Sequence, residues 1–129
     1  MQFFHRNELT RETLPGRIIQ KAVGKEGGSI SKKMTMGFGR YSAESGPMEP
    51  HQHAEETVYV IDARDGWVRY GPQKDQLGNR VRLEPGTILH IPELEWHVFE
   101  YGENGYVDLI FFYGQVDNIR PEEITRQKQ

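Results

Sequence analysis

Apolar residues occur in short runs along this chain, separated by glycine, proline and polar residues. Several runs alternate apolar and polar positions, which is typical of β-strands with one face in a core. No segment indicates a helix long enough to connect parallel strands. The predicted strands cover residues 17–23, 30–43, 57–62, 67–70, 80–83, 87–91, 96–101 and 106–113. Many short strands at regular spacing predict an all-β antiparallel sandwich or barrel.

Residues that favour turns predict where the chain reverses direction. Residues 63–66 (ARDG) predict a hairpin turn, because Asp-Gly tolerates the left-handed conformations that tight turns need. Residues 102–105 (GENG) predict a second turn. Within the predicted strand at residues 30–43, Met34, Met36 and Phe38 fall on one face, and we expect this stripe to be ordinary core.

The two ends of the chain are predicted to flank the barrel. Residues 1–15 are expected to form an irregular or partly stranded arm, which packs on its own barrel or on a partner subunit. In the tail, residues 120–129, Pro121 stands at a first helical position and is followed by Glu122 and Glu123, which predicts a short C-terminal helix. The apolar arm and the exposed sheet edges predict a homodimer.

Length and composition restrict the classes of function. A chain of 129 residues is expected to form one domain with a real core. With 16 basic and 19 acidic residues the net charge is −3, so we expect no nucleic-acid partner. Disulfides and thiolate metal ligands are excluded because there is no cysteine. No apolar run approaches the ~20 residues of a membrane helix and no signal-peptide pattern is present, so the expected location is the cytoplasm, with no membrane partner.

The strongest chemical signal is a pair of histidines, His51 and His53, followed by Glu55 and Glu56. Residues two apart in an extended chain project from the same face, so the two imidazoles point the same way. Together with a carboxylate they form most of the coordination shell of a first-row transition metal. His97, from a distant segment, is the candidate for the missing ligand. Spacing from His53 in a straight strand favours Glu55, so both carboxylates stay open as ligands.

Two motifs in this sequence resemble those of the cupin family. The first, residues 46–66, reads GPMEPHQHAEETVYVIDARDG, and the second, residues 86–97, reads GTILHIPELEWH. The resemblance implies a single cupin domain over residues 1–129, folded as a double-stranded β-helix, also called a jelly-roll barrel. It also implies that one metal ion is bound inside the barrel by His51, His53, Glu56 and His97.

The resemblance places Glu56 ahead of Glu55, because the following ETVYVI matches the family's run of glutamate, tyrosine and valine. The sequence departs from the family pattern at several positions, including Tyr101 and Ala63. Only two residues separate His53 from Glu56, where the family often has three or four, and Leu94 replaces a glycine of the second motif. The short spacing keeps Glu55 as the alternative ligand.

Mixed nitrogen and oxygen ligands accept Fe, Mn, Ni, Zn, Co or Cu, so the sequence implies one divalent transition metal of unspecified identity and no other cofactor. Three imidazoles and a carboxylate leave positions open on an octahedral ion, which can act as a Lewis acid. We therefore expect a metal-dependent enzyme of small-molecule metabolism. Isomerase, lyase or dioxygenase chemistry on a sugar, sugar acid or keto acid would fit. Glu55 and Tyr59 are candidates for moving a proton. The alternative is a non-catalytic protein that binds a sugar or metabolite in the same cavity.

Overall fold

β-strands dominate the computed structural model, which describes residues 1–121 and residue 123. A single 3-10 turn, Arg6–Glu8, precedes the strands. In chain order the strands are β1 Glu12–Leu14, β2 Arg17–Gly24, β3 Ser29–Ile30, β4 Thr35–Ser42, β5 Glu56–Gly71, β6 Asn79–Arg82, β7 Ile88–Ile91 and β8 Trp96–Tyr113. They join into one sheet in the order β1-β2-β4-β8-β5-β6, with β3 on β2 and β7 on β5. The all-β jelly-roll class predicted from the sequence is confirmed.

The two long strands β5 and β8 pair antiparallel along their whole length and form the centre of the sheet. The predicted turns at 63–66 and 102–105 are wrong, because both segments lie inside these strands. The pairing shifts register between Arg64 and Gly66, which marks a β-bulge where the sheet bends. Asp65 and Asn104 have left-handed φ angles of 46° and 62°. A bulge uses the same left-handed conformations as a tight turn, so the local signal does not distinguish them.

The core is formed by the inward-facing residues of β5 and β8, which alternate with exposed ones. Val58 and Val60 of β5 and Val107 and Leu109 of β8 are almost completely buried, and Phe111 packs with them. Burying each of these side chains contributes about 1.5–3 kcal/mol. The core fills one part of the barrel. The other part contains a cavity, and the candidate site residues lie beside it.

The face of β4 that turns toward the core is the opposite of the face predicted from its apolar residues. Met34 is 57% exposed, whereas Gly37, Gly39 and Tyr41 face the interior, so the prediction of a core stripe at Met34, Met36 and Phe38 is wrong. A Cβ at position 37 would come within 2.6 Å of the Phe111 ring. The glycines on the inner face therefore make room for bulky residues of the neighbouring strand.

The N-terminal arm packs on the outer face of its own barrel. The Arg6 guanidinium makes two hydrogen bonds to the Asp108 carboxylate, at 2.7 and 3.0 Å, and a third to the Gln20 side chain. It also lies 4.4 Å from the centre of the Phe38 ring. The arm then continues into β1, which pairs with β2 at the sheet edge.

Most of the predicted C-terminal helix lies outside the described residues. Pro121 and Glu123, which are described, have helical backbone. In the described part of the chain, no helix has the length and apolar character needed to cross a membrane.

Candidate metal centre

Backbone hydrogen bonds bring the two histidine-containing segments together. The N–H of His51 donates to the carbonyl of His97 at 2.9 Å, and the N–H of His97 donates back to His51 at 3.0 Å. The Leu94 N–H donates to the carbonyl of His53 at 2.9 Å. Residues 51–55 form no regular strand, but this isolated bridge keeps the histidine pair extended beside the start of β8.

The three imidazole rings converge on one point inside the barrel. Ring centres are separated by 5.4 Å for His51 and His53, 4.4 Å for His51 and His97, and 4.6 Å for His53 and His97. One nitrogen from each ring lies within 4.8 Å of the other two. His97 is only 1% exposed and His53 5% exposed, while His51 sits at the cavity wall. The sequence therefore identified three side chains that the fold brings together.

The protonation of these rings is set by their backbone partners. Nδ1 of His53 lies 2.7 Å from the Ala54 carbonyl oxygen, and Nδ1 of His97 lies 2.8 Å from that of Glu95. Nδ1 of His51 lies 3.2 Å from the carbonyl oxygen of the residue two before it. Because a carbonyl oxygen only accepts, each Nδ1 carries a proton, and burial lowers the pKa of His53 and His97, so these two rings are neutral and present an Nε2 lone pair.

This tautomer assignment has a consequence for the pair of buried rings. The Nε2 atoms of His53 and His97 are 3.0 Å apart, and neither carries a hydrogen to place between them. Two lone pairs at this separation repel each other unless a cation lies between them. Ligands bound at about 2.1 Å from a metal are themselves about 3 Å apart, so the donor set fits a transition-metal ion.

Glu56 is the carboxylate beside His53, although its oxygens are not among the ligand atoms that lie within 4.8 Å of one another. It is the first residue of β5, it is buried, and its Oε1 lies 3.5 Å from Nε2 of His53. Glu55 points outward and forms a 2.6 Å ion pair with His90, where both side chains are 62% exposed. Tyr59 is 45% exposed on the outer face of β5. Neither Glu55 nor Tyr59, the candidates for proton transfer, is placed at the cavity.

Burial controls the charge of the cluster. It raises the pKa of Glu56 from its ordinary 4.5 to about 8, although a hydrogen bond from Tyr113 works in the opposite direction. Burial also lowers the pKa of His53, and lowers that of His97 well below 6.5 with help from the neighbouring imidazoles. At neutral pH without metal, the contact between His53 and Glu56 therefore joins two neutral groups rather than an ion pair.

We expect the metal-free protein to lose stability as the pH rises from about 6.5 to about 8. In this range Glu56 is ionised in the unfolded chain but protonated in the folded one, so folding takes up one proton. Glu56 alone lowers the free energy of unfolding by up to about 1.4 kcal/mol per pH unit. Near pH 6.5 the two buried histidines oppose this fall, because each is about half protonated in the unfolded chain and neutral in the folded one, and their contribution disappears toward pH 8. Below pH 6.5 their lowered pKa values make stability fall as the pH falls.

Urea unfolding of the metal-free protein across this pH range measures the effect. Glu56→Gln should remove the alkaline loss of stability, whereas Glu55→Gln, one position away on the outer surface, should retain it. An identical slope in the Glu56→Gln variant would contradict the assignment.

Three residues around the cluster were missed by sequence reasoning. Tyr113 lies opposite Glu56 in the strand register, and burial together with the neighbouring Glu56 raises the pKa of its hydroxyl well above 10. Tyr41 and Arg17 also line the cavity, which has a volume of about 600 Å³. None of the three belongs to a local motif. The only signal in the sequence was the alternation of residues along each strand. This alternation shows which residues face the cavity only once the strand pairing is known.

Known proteins are similar to this chain in structure, but no match was found from the sequence. No family model and no curated protein matches this sequence. The polyketide cyclase RemF from Streptomyces resistomycificus matches with a TM-score of 0.70 and 23% identity, over 87% of this chain and 78% of that one. KdgF from Halomonas sp. matches with a TM-score of 0.63 and 18% identity, over 89% and 94% of the two chains.

The oxalate decarboxylase of Bacillus subtilis, a protein with Mn(II) centres, matches with a TM-score of 0.65 and 15% identity. The match covers 85% of this chain and 29% of that one. These solved structures are cupin barrels. The chain has the cupin fold.

In this barrel, the two sequence motifs contribute residues to one site. The first motif supplies the histidine pair and continues into β5, and the second ends at His97 near the start of β8. The isolated bridge between His51 and His97 is where the two motifs meet. The resemblance stated from the sequence is therefore confirmed at the level of the fold.

Proposed function

We propose that this cupin binds one divalent transition metal through His51, His53 and His97, with Glu56 as the fourth ligand. The observation that supports this most directly is the convergence of one nitrogen from each of three imidazole rings, each ring having a backbone carbonyl oxygen beside its Nδ1. Such outer partners fix the orientation of metal-binding imidazoles in proteins. Nitrogen and oxygen ligands accept Mn, Fe, Co, Ni, Cu or Zn.

The surrounding side chains would hold the fourth ligand and shape the cavity. Tyr113 lies opposite Glu56 in the strand register, and its ring packs against His53 with centres 5.5 Å apart. Met48, Phe99 and other apolar residues form part of the wall and exclude water from one side of the cluster. When bound, the metal would supply a Lewis acid that polarises a substrate oxygen.

We further propose that the protein is a metal-dependent enzyme acting on a small oxygenated metabolite, such as a sugar, sugar acid or keto acid. The cavity of about 600 Å³ is large enough for such a molecule. Four protein ligands leave two positions on an octahedral ion for substrate oxygens or water. The similar solved structures include a cyclase and a decarboxylase, so this barrel accommodates more than one kind of catalysis. Isomerase, lyase or dioxygenase chemistry would be compatible with the site.

The homodimer and the cytoplasmic location stay predictions. Arg6 anchors the arm to its own barrel, while Met1 and Phe3 at the tip are exposed. An exposed apolar tip is compatible with contact to a second copy of the chain.

The function is tested by removing all metal and reloading the protein separately with each candidate ion. We expect one metal per chain for at least one ion, and turnover of a sugar acid or keto acid when the loaded protein is incubated with a substrate panel followed by NMR. Protein carrying His53→Gln and His97→Gln, treated identically, is the control and should give no turnover. Saturable metal and ligand binding without turnover would favour the non-catalytic binding protein instead. Failure of every ion to bind would refute both.

A further inference from the structure

Strand β2 carries two cationic side chains on its inner face. Arg17, Ile19, Lys21 and Val23 alternate toward the interior and line the cavity, whereas the intervening residues are covered by the arm or the sheet. A cation that faces a partly apolar cavity is costly to desolvate unless a partner is present. The partners of these cations therefore indicate what the cavity is built to hold.

Lys21 and Lys25, the lysines of the cavity wall, are both neutralised by carboxylates. Lys21 lies 2.9 Å from Glu26, and 3.5 Å from the carboxylate of Glu12. Lys25 lies 2.6 Å from Asp117. Neither lysine is therefore a free positive charge for a ligand.

Arg17 differs from both lysines. Its guanidinium donates one hydrogen bond, at 3.2 Å, to the carbonyl oxygen of Pro15. Among residues 1–121 and 123, no carboxylate lies within ion-pair distance of it. A guanidinium has five N–H donors, and a carbonyl oxygen supplies no negative charge. Half-buried Arg17 thus keeps an uncompensated charge and further donors at the cavity wall.

The charge of Arg17 also reaches the metal centre. Burial is the main cause of the lowered pKa of His53, and the positive charge of Arg17 lowers it further. The same charge opposes the rise that burial causes in the pKa of Tyr41 and Tyr113. A ligand that touches the histidine cluster would therefore lie in the field of this guanidinium.

We propose that Arg17 binds the carboxylate of an acidic substrate whose remaining oxygen atoms face the histidine cluster on the side of His51 and His53, which line the same cavity. This inference rests on the proposed function and narrows its substrate class to sugar acids, hydroxy acids or keto acids, in preference to neutral sugars. Planar guanidinium and carboxylate groups form paired, charge-assisted hydrogen bonds, a geometry that arginine provides and lysine does not. The paired lysine on the same strand face, Lys21, has no such role.

The test compares wild type, Arg17→Gln, Arg17→Lys and Lys21→Gln, each loaded with Zn²⁺ and checked for metal content and folding by circular dichroism. Lactate, pyruvate and tartrate are titrated calorimetrically against each protein, with lactamide as the neutral counterpart of lactate. Arg17→Gln should bind the acids at least about tenfold more weakly, with lactamide affinity unchanged. Arg17→Lys should recover part of the loss, and Lys21→Gln should match wild type.

Two results would overturn the role of Arg17: equal affinity of wild type and Arg17→Gln for the acids, or no binding of any acid to loaded wild type. Failure of wild type to take up Zn²⁺ or another ion would instead refute the proposed function. In that case the same titrations on metal-free protein still test Arg17, because the guanidinium is present without metal. Acid binding that Arg17→Gln weakens would support the anion site, and binding that it leaves unchanged would refute it.

Discussion

Replacing His53 or His97 by glutamine is expected to lower the affinity for a divalent transition metal at least about 100-fold. Each of these rings presents an Nε2 lone pair to the same point, 3.0 Å from the other. Removing one leaves an incomplete donor set that the remaining side chains cannot close. Glutamine is chosen because His97 is 1% exposed, and alanine would leave a void beside the core.

Competition between the protein and a chelator of known affinity measures this change, with metal content determined by elemental analysis. His90→Gln provides the matched control, because His90 is an exposed histidine of the same barrel that pairs with Glu55 on the outer face. This control should bind metal like wild type. A His97→Gln protein that retained wild-type affinity would show that the cluster is not a metal site.

Replacing Arg6 by alanine is expected to lower the free energy of unfolding by about 2–3 kcal/mol. The guanidinium makes two hydrogen bonds to Asp108, whose side chain is only 12% exposed. Removing it leaves a largely buried carboxylate without its cation and detaches the arm from the Phe38 ring. The loss is smaller than for a fully buried pair because the Arg6 side chain is 29% exposed.

Urea unfolding gives the stability of the Arg6→Ala protein. Arg11→Ala is the control from the same arm: its 3.8 Å ion pair with Glu44 is exposed to solvent on both sides, so its removal should change stability by less than about 0.5 kcal/mol. Combining Arg6→Ala with Asp108→Asn should recover part of the lost stability, because the unpaired carboxylate charge at position 108 is then removed. Equal stability of Arg6→Ala and wild type would mean that the arm does not depend on this pair.

The sequence allowed predictions of local chemistry where that chemistry depends on a few neighbouring residues. The spacing of His51 and His53 predicted two rings on one face, and the bridge to His97 keeps them so. The candidates Glu55 and Glu56 could not be separated by spacing. Residues 52–55, before β5, are not in a regular strand, and this irregular segment turns Glu56 inward and leaves Glu55 at the surface. Backbone hydrogen bonds to distant residues hold the segment in this conformation.

The predictions that were wrong concern features that depend on how the strands pair. The apolar residues Met34, Met36 and Phe38 predicted the inner face of β4, but the space on that face is already occupied by the Phe111 ring and only glycines fit beside it. Likewise, Asp65 supplies a left-handed conformation as expected, but it does so in a bulge within β5.

The sequence by itself determined that the chain forms an antiparallel β domain and that its histidines suit a transition metal, because hydrophobic alternation and side-chain donor atoms are local properties. Only the tertiary structure showed that Glu56 is buried beside His53 while Glu55 is exposed, that Tyr113 lies opposite Glu56, and that Arg17 faces the same cavity. These three outcomes depend on register and on the face that each strand turns inward. Both are fixed by hydrogen bonds and packing between segments far apart in the chain.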